Sequence, residues 1–192
     1  MRIKNSQFGR TMQRFALAQH GIAMVELALA LPLLMTLFYG TVEVTRYVLI
    51  TQKVEKLAHS VADMTAQSAT ASAASLNQVM AAASDIMSPY TVGSNGRIII
   101  SSLYRAPGTV DPKINWRYEG GGTLIAASAL GLVAATPTMP SAFTFDEREN
   151  IISAEVYYRF SPLISSQFFG TTTIYRVAFY KPRFGALLTA PV

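Results

Sequence analysis

The apolar run from Ile22 to Gly40 limits what this chain can form more than any other feature of the sequence. As a helix, the run would be about 28 Å long at ~1.5 Å per residue, close to the hydrocarbon thickness of a bilayer. It holds one carboxylate, Glu26. A charge there is unfavourable by roughly 2–3 kcal/mol at mid-span and by less near an end, so such residues usually have a function. The sequence therefore predicts a membrane-spanning helix with Glu26 as a candidate functional residue.

The positive charge of the chain lies mainly before this run. Of sixteen Lys and Arg residues, four lie in residues 1–21, which contain no acid, so twelve basic residues remain against eleven acidic ones. A nucleic-acid surface needs basic residues clustered on the folded part of a chain, and the remainder has no such cluster. We therefore expect no nucleic-acid partner. The four basic residues of this leader are Arg2, Lys4, Arg10 and Arg14.

The end of the apolar run does not suit ordinary signal peptidase, which requires small residues at the cleavage site. Leu37 to Gly40 is bulky and aromatic, whereas small or polar residues, Ala18 to Gly21, precede the run. A cut before the run would leave the span on the mature chain. An uncut signal anchor is the alternative, and the residues alone leave both open.

The flanking charges give a weak orientation signal. Four basic residues precede the span, and three, Arg46, Lys53 and Lys56, follow within twenty residues of its end. Basic residues favour the cytoplasmic side, and a long domain translocates largely regardless of its charge. We therefore expect a single pass with the N-terminus cytoplasmic. Pro32 lies in the middle of the span, where its missing N–H predicts a helix kink.

Helical periodicity continues beyond the span. Apolar residues recur at helical spacing over Val54–Met64 and again over Leu76–Met87. The Ala/Ser/Thr-rich stretch 66–75 lies between these stripes and suits either close helix packing or a break. We predict one long helix that ends before Pro89, and the residues leave open whether it breaks within this stretch.

The following hundred residues have strand patterns. Alternation is clearest over Ile152–Phe160, where every second residue is apolar. The other candidate strands are Arg97–Tyr104, Ile114–Glu119 and Ile174–Tyr180. Since neither element buries its apolar face alone, we predict an α+β fold, with the second half of the long helix packed on a three- or four-stranded antiparallel sheet. Thr123–Ala135 is compatible with a short helix or a buried strand.

Catalytic chemistry finds little support in the sequence. The chain has no cysteine and two histidines, His20 in the leader and His59 on the predicted helix, so the usual Ser–His and Cys–His pairs are not available to the outer domain. Asp146, Glu147 and Glu149 form an acidic group that better suits a solvated turn than a hard-metal site. We expect no catalytic residue, no cofactor and no metal.

The order Gly21, Ile22-Ala23-Met24-Val25-Glu26, an apolar run with Pro32, and Gly40-Thr41-Val42-Glu43 resembles the N-terminus of TadE-like pseudopilins of the tight-adherence (Flp-type IVb) pilus system. A weaker resemblance runs from Phe160-Ser161-Pro162-Leu163 to Tyr180-Lys181-Pro182-Arg183.

The resemblance implies a pilin-like fold and a minor pilin that helps to assemble a type IV pilus for surface attachment. It implies that a membrane-embedded aspartyl prepilin peptidase cuts between Gly21 and Ile22, and that Glu26 acts in subunit assembly. The implied partners are prepilin peptidase, other pilin and minor pilin subunits, the inner-membrane assembly platform and the lipid bilayer. The implied location is the bacterial inner membrane, with a periplasmic C-terminal domain and potential incorporation into an extracellular pilus.

The position of Glu26 fits this role on physical grounds. Cleavage after Gly21 would create an ammonium group at Ile22, four residues from Glu26 and on the same helical face. The amine could pair with its own carboxylate or with that of a neighbouring subunit, and in a medium of low dielectric constant either pairing would favour the charged form of both groups. A pair between two subunits would set their axial register, whereas a Glu26 near the headgroups would need no partner.

Four segments summarise these expectations. Residues 1–21 form a cleaved basic leader, and residues 22–42 form the transmembrane helix. Residues 43–88 form a helical stalk, and residues 89–192 form an extracytoplasmic β-containing domain. The alternative function is an uncleaved, single-pass scaffold or binding protein of an envelope secretion complex.

Overall fold

The computed structural model of the chain describes residues 19–139, 144–163 and 170–192. These residues form an α+β fold with two α-helices and a four-stranded antiparallel sheet, as predicted. Most of the expected leader lies outside the described residues. The elements are α1 (Gln19–Ala66), α2 (Ala73–Ser84), β1 (Gly96–Tyr104), β2 (Lys113–Gly120), β3 (Asn150–Phe160) and β4 (Thr172–Tyr180).

Helix α1 is continuous through Pro32. The chain divides into two compact units, one up to Thr45 and one from Arg46 onward, so the division falls inside α1. In the first unit every residue from Gly21 to Thr41 is exposed. In the second unit α1 has a buried stripe, which begins at Ile50.

A break separates the two helices at residues 67–72, within the stretch where the sequence left both possibilities open. Ser72 begins the next helix with a capping box. Its Oγ accepts from the Ser75 N–H at 3.1 Å, while the Ser75 Oγ accepts from the Ser72 N–H at 3.0 Å. This pairing satisfies N–H groups that the first turn of a helix leaves free. After α2 a 3-10 turn, Asp85–Met87, completes the helical region before Pro89, also as predicted.

The sheet has the strand order β2-β1-β3-β4, with every neighbouring pair antiparallel. All four predicted strands are present. The two central strands pair along their length, from Gly96 opposite Tyr158 to Tyr104 opposite Asn150. A bulge between Ser102 and Leu103 interrupts the pairing of β1 with β2, so that Ile114 and Trp116 reach opposite faces of the sheet.

One face of the sheet shares the main hydrophobic core with the helices. On β3, the alternation predicted from Ile152 to Phe160 places every second side chain in this core, as expected for a strand with one buried face. The helical stripes meet the sheet there. Their buried members include Val54, Leu57, Ala58 and Val61 on α1 and Leu76, Val79, Met80 and Ala83 on α2.

The other face of the sheet is covered by irregular chain. Thr123–Ala135 is neither the helix nor the strand that its composition allowed. Its backbone N–H groups form hydrogen bonds with residues outside the segment. The Thr123 N–H donates to Gly93 O at 2.9 Å, and the Ala134 N–H donates to Ile114 O at 2.8 Å. Leu130 packs in a second, smaller core with Leu103, Ile114, Phe145 and Ile151. Leu124 and Leu130 are buried whereas Ile125 and Leu132 are exposed, so the segment covers the sheet through a few residues and without forming a regular element.

Substitution of Leu57 by alanine tests the shared core. Leu57 is fully buried, whereas Leu49 on the same helix keeps 46% of its surface exposed. We expect Leu57→Ala to lower the free energy of unfolding by about 2–5 kcal/mol, because it leaves a cavity. Denaturation of the detergent-solubilised chain, followed by near-UV circular dichroism, measures this loss. Leu49→Ala is the matched control and should cost much less; equal losses would contradict the packing described here.

Candidate functional site

The apolar segment of α1 has no apolar partner within the described residues. Met24 and Leu29 each expose 75% of their surface, and an 18-residue window in this helix has a mean hydropathy of 2.1 with none of it buried. By length and composition the helix is able to cross a membrane. So large an apolar surface requires lipid or other helices around it. Its large side chains are Ile22, Met24, Val25, Leu27, Leu29, Leu31, Leu33, Leu34, Met35, Leu37, Phe38 and Tyr39.

Two hydroxyl groups in this segment are satisfied by its own backbone. The Thr36 Oγ1 donates to Pro32 O at 2.8 Å, and the Thr41 Oγ1 donates to Leu37 O at 2.9 Å. Such bonds to the carbonyl one turn earlier let Thr lie in an apolar environment. Pro32 has no N–H for the Ala28 carbonyl, yet the helix continues through it. The kink at Pro32 stays a prediction.

Glu26 differs from these threonines. Its side chain is exposed on the apolar segment, one helical turn after Ile22. Among the residues that the structure describes, no basic group forms an ion pair with it. By contrast, Asp63 and Glu149 of the second unit lie 2.8 and 3.1 Å from the basic groups of Arg183 and Lys181. Glu26 is thus available to a group from outside the described chain.

The predicted cleavage bond, between Gly21 and Ile22, lies on α1, whose described part is Gln19–Ala66. A Cβ added to Gly21 would meet no atom within 4 Å. Glu26 follows Ile22 by one helical turn, and Pro32 lies further along the same helix.

A second polar feature, which the sequence analysis did not single out, lies on the outer face of the sheet. Glu155 of β3 is fully buried. Its Oε1 accepts from the Ala129 N–H at 2.8 Å, from the Tyr175 hydroxyl at 3.1 Å and from the Tyr157 hydroxyl at 3.3 Å, and its Oε2 accepts from the Ser128 hydroxyl. The carboxylate is thus surrounded by donors and holds the irregular segment to the sheet. The sequence signal was an acid in a β-branched strand with a tyrosine two residues later.

The two tyrosines of this cluster hold their protons strongly. Burial, followed by the nearby negative charge of Glu155, raises the pKa of Tyr157 to about 12. The same causes raise the pKa of Tyr175. Their rings lie 4.8 Å apart between centroids. Two neutral hydroxyls beside a carboxylate act as hydrogen-bond donors, so this cluster is an anchor for the covering segment.

The acidic group at 146–149 forms a turn, as the sequence favoured. Glu149 Oε2 accepts from the Asp146 N–H at 2.7 Å, and Glu147 Oε1 accepts from the Gly108 N–H at 3.3 Å. Burial acts to raise the pKa of Glu149, but the Asp146 N–H and the Lys181 ammonium group lower it overall. Within residues 19–139, 144–163 and 170–192, no three His, Asp or Glu side chains are placed to hold a metal ion.

The comparison with protein families gives one match. A family model described as TadE-like protein matches residues 21–75. The match begins at Gly21, includes the whole apolar segment, and confirms the resemblance seen in residues 18–43. The weaker resemblance over 150–183 lies outside it and stays a prediction. No curated protein and no solved structure matched the chain.

The family match concerns the helical part of the chain. TadE-like proteins are structural components of the pilus and are not an enzyme family. The match covers residues 21–75 of the 192-residue chain, and the apolar helix within it supports membrane anchoring.

The raised pKa of Tyr157 predicts a loss of stability at alkaline pH. Tyrosine in an unfolded chain titrates near pH 10, so the native state binds the proton of Tyr157 more tightly than the unfolded state does. The resulting stabilisation is complete below pH 10 and is lost as the pH rises to about 12. Unfolding free energies measured across this window should fall less steeply for Tyr157→Phe than for the unsubstituted chain. Tyr104→Phe, outside the cluster, is the control and should leave the slope unchanged.

Proposed function

We propose that the chain is a minor pilin, or pseudopilin, of a tight-adherence type IV pilus that prepilin peptidase processes between Gly21 and Ile22. The processed subunit stays in the bilayer through α1 and then packs by the same segment against other pilin subunits. One observation carries the proposal: an exposed apolar helix bears a carboxylate, Glu26, one turn after the bond to be cut.

Cleavage would change the electrostatics of this helix end. The new ammonium group at Ile22 would replace an amide, and it would lie one turn from a carboxylate that has no ion-pair partner among the described residues. Opposite charges in an apolar medium attract strongly, and leaving one of them unpaired is unfavourable. Under this proposal Glu26 of one subunit pairs with the amine of its neighbour rather than with the amine one turn away on its own helix, and this contact sets the axial register of packed helices.

The partners and the location follow from this proposal. Prepilin peptidase acts on the leader, the inner-membrane assembly platform receives the processed subunit, and other pilin subunits cover the apolar surface of α1. The basic leader lies on the cytoplasmic side and residues 46–192 lie in the periplasm until the subunit enters a pilus. The proposed role of the pilus is surface attachment.

An uncleaved membrane anchor is the second candidate. It is favoured by the helical backbone at the predicted cleavage bond, since both Gly21 and Ile22 lie on α1. Such a protein would serve as a scaffold or binding subunit of an envelope secretion complex. The two candidates differ in the mass of the mature chain.

Intact-mass analysis with and without prepilin peptidase tests the cleavage. We expect a mature chain that begins at Ile22 only when the peptidase is present, and Gly21→Val should abolish this product. Because Gly21 has open space around its Cβ position, the substitution removes recognition without disturbing the fold. Gly40→Ala, which also has open space, is the matched control and should be cut normally. A chain that keeps Met1 with active peptidase present would refute processing.

Glu26→Ala tests the assembly role separately. We expect the variant to insert into the membrane and to be cleaved, because neither step needs the carboxylate, but to enter pili at a level at least tenfold lower, the effect of losing roughly 1.4 kcal/mol of contact energy. Immunoblots of sheared pili and of membranes measure the two pools. Leu29→Ala removes exposed bulk one turn along without removing a charge, and should assemble nearly normally. If Glu26→Ala entered pili at the same level as the unsubstituted chain, the proposed role of the carboxylate in assembly would be refuted.

A further inference from the structure

Helix α1 enters the second unit at one end of the sheet. The guanidinium carbon of Arg46 lies 5.7 Å, and the ring centroid of Tyr47 lies 5.4 Å, from the ring centroid of Phe160, the last residue of β3. Further along α1, the ring of His59 lies 6.0 Å from that of Tyr180, the last residue of β4. Because β3 and β4 are antiparallel, these two contacts lie at opposite ends of the sheet.

Three stretches outside the strands lie at the end where α1 enters, and none of them contains a charged residue. Residues 88–95 lead into β1, residues 121–125 follow β2, and residues 161–163 follow β3. Strand pairing places the start of β1 and the ends of β2 and β3 at the same end of the sheet. We call these three stretches the entry end.

The connections at the opposite end of the sheet are strongly charged. Residues 105–112 hold two charged side chains, residues 144–149 hold four, and residues 181–183 hold two. Some of these charges pair with one another, as Lys181 Nζ does with Glu149 Oε1 at 3.1 Å. Charged side chains favour water, so the two ends of the sheet suit different surroundings.

The entry end exposes apolar side chains instead. Ile125 exposes 98% of its surface and Leu163 exposes 65%. Tyr47, on α1 beside Phe160, is also exposed. Large aliphatic side chains insert at the boundary between headgroups and acyl chains, and tyrosine is enriched at the same level. The entry end therefore has the composition of a surface that contacts a bilayer.

The charged residues that border the entry end are compatible with lipid phosphates. Arg46 and Arg159 are basic, and Arg97 forms an ion pair with Glu119. Asp85, shortly before the first stretch, is the acidic residue at this border that has no printed ion pair among the described residues. Guanidinium groups bind phosphate oxygens through two parallel hydrogen bonds. Two arginines at the border thus favour contact with the headgroup layer.

Backbone contacts between two of the stretches fix the shape of the entry end. The Thr123 N–H donates to Gly93 O at 2.9 Å, and the Leu124 N–H donates to Gly96 O at 3.1 Å. A Cβ on Gly122 would overlap both carbonyl oxygens, so this close approach requires glycine. Backbone groups that are bonded within the protein do not need water. The surface is therefore able to lie against lipid without leaving these groups unsatisfied.

We propose that the entry end rests on the surface of the bilayer, with Ile125 and Leu163 inserted among the lipid headgroups. Chain length supports this partner. Arg46 follows Gly40, the last residue of the apolar run, by six residues, which reach at most about 21 Å even when fully extended. The entry end therefore stays close to a membrane that the run crosses. The inference rests on membrane anchoring by α1, and not on cleavage or on pilus assembly.

Fluorescence quenching in proteoliposomes tests the docking on the full chain, which has no native cysteine. Ile125→Cys carries an environment-sensitive label at the entry end. Val110→Cys, at a position that exposes 83% of its surface at the opposite end, carries the same label as the matched control. Leu33→Cys reports insertion of α1. The vesicles contain phosphatidylcholine and phosphatidylglycerol, with a nitroxide on the headgroup or on the acyl chain of a fraction of the lipid.

We expect the headgroup nitroxide to quench the label at residue 125 and not the label at residue 110, while the acyl-chain nitroxide quenches the label at residue 33. Equal quenching at 125 and 110, with residue 33 quenched, would overturn the docking and leave the membrane anchor intact. An unquenched label at residue 33 would overturn the anchor, and this inference with it. A label at residue 125 that is shielded from aqueous iodide but not quenched by lipid would assign the entry end to a protein partner instead.

A charge introduced at the entry end tests the apolar contact. In a chain labelled at Leu163→Cys, we expect Ile125→Asp to reduce quenching by the headgroup nitroxide, because a charge opposes insertion beside it. Ile125 is almost fully exposed, so the substitution leaves the core unchanged. Val110→Asp is the matched control and should leave the quenching unaltered. The same quenching in both variants would overturn the insertion of Ile125.

Discussion

The structure depends on one constraint: helix α1 continues from an exposed apolar segment into a segment that is buried in the core. From Gly21 to Thr41 every residue is exposed, whereas from Ile50 onward one stripe is buried in the core. A helix can serve both roles because its backbone groups bond within the helix itself and need no water. Only the pattern of side chains has to change, from apolar on all sides to apolar on one face. The membrane segment and the support for the sheet are therefore parts of one element.

The sheet depends on this helix on one face and on irregular chain on the other. Irregular chain has few backbone partners of its own, so buried side chains must supply them. Glu155 does this for the Ala129 N–H, and Ser102, Trp116 and Asn150 do it for Leu187. The buried polar groups of the sheet thus mark the places where a covering segment is attached. The segment that contains Ala129 is bound by the carboxylate of Glu155. The segment that contains Leu187 is bound by the neutral side chains of Ser102, Trp116 and Asn150.

The TadE-like match and the sheet lie in different parts of the chain. The match covers residues 21–75, which contain α1 and the start of α2, while all four strands lie beyond it. The proposed pilus-associated role therefore rests on the helix. What the sheet contributes follows from its own contacts, which hold residues 123–135 and 184–192 onto it.

Much of the fold was readable from local pattern. The apolar run and all four strands were predicted, because each depends on the periodicity of neighbouring residues. The form of Thr123–Ala135 was not predictable. Its composition suited either a helix or a strand, and the partners that decided its path, Gly93 O and Ile114 O, are distant in sequence. The kink at Pro32 and the pairing of Glu26 depend on surroundings that lie outside this one chain.

The sequence by itself determined that the chain has an apolar helix able to cross a membrane, a carboxylate placed one turn after Ile22, and a sheet with one strongly apolar face. These are properties of spacing along the chain, and no long-range contact is needed to establish them. Only the tertiary structure decided that Glu155 is a buried anchor and that Ser102, Trp116 and Asn150 bind the backbone of Leu187. Both depend on polar atoms meeting across strands, and hydrogen-bond geometry between residues distant in sequence has no signature in local pattern.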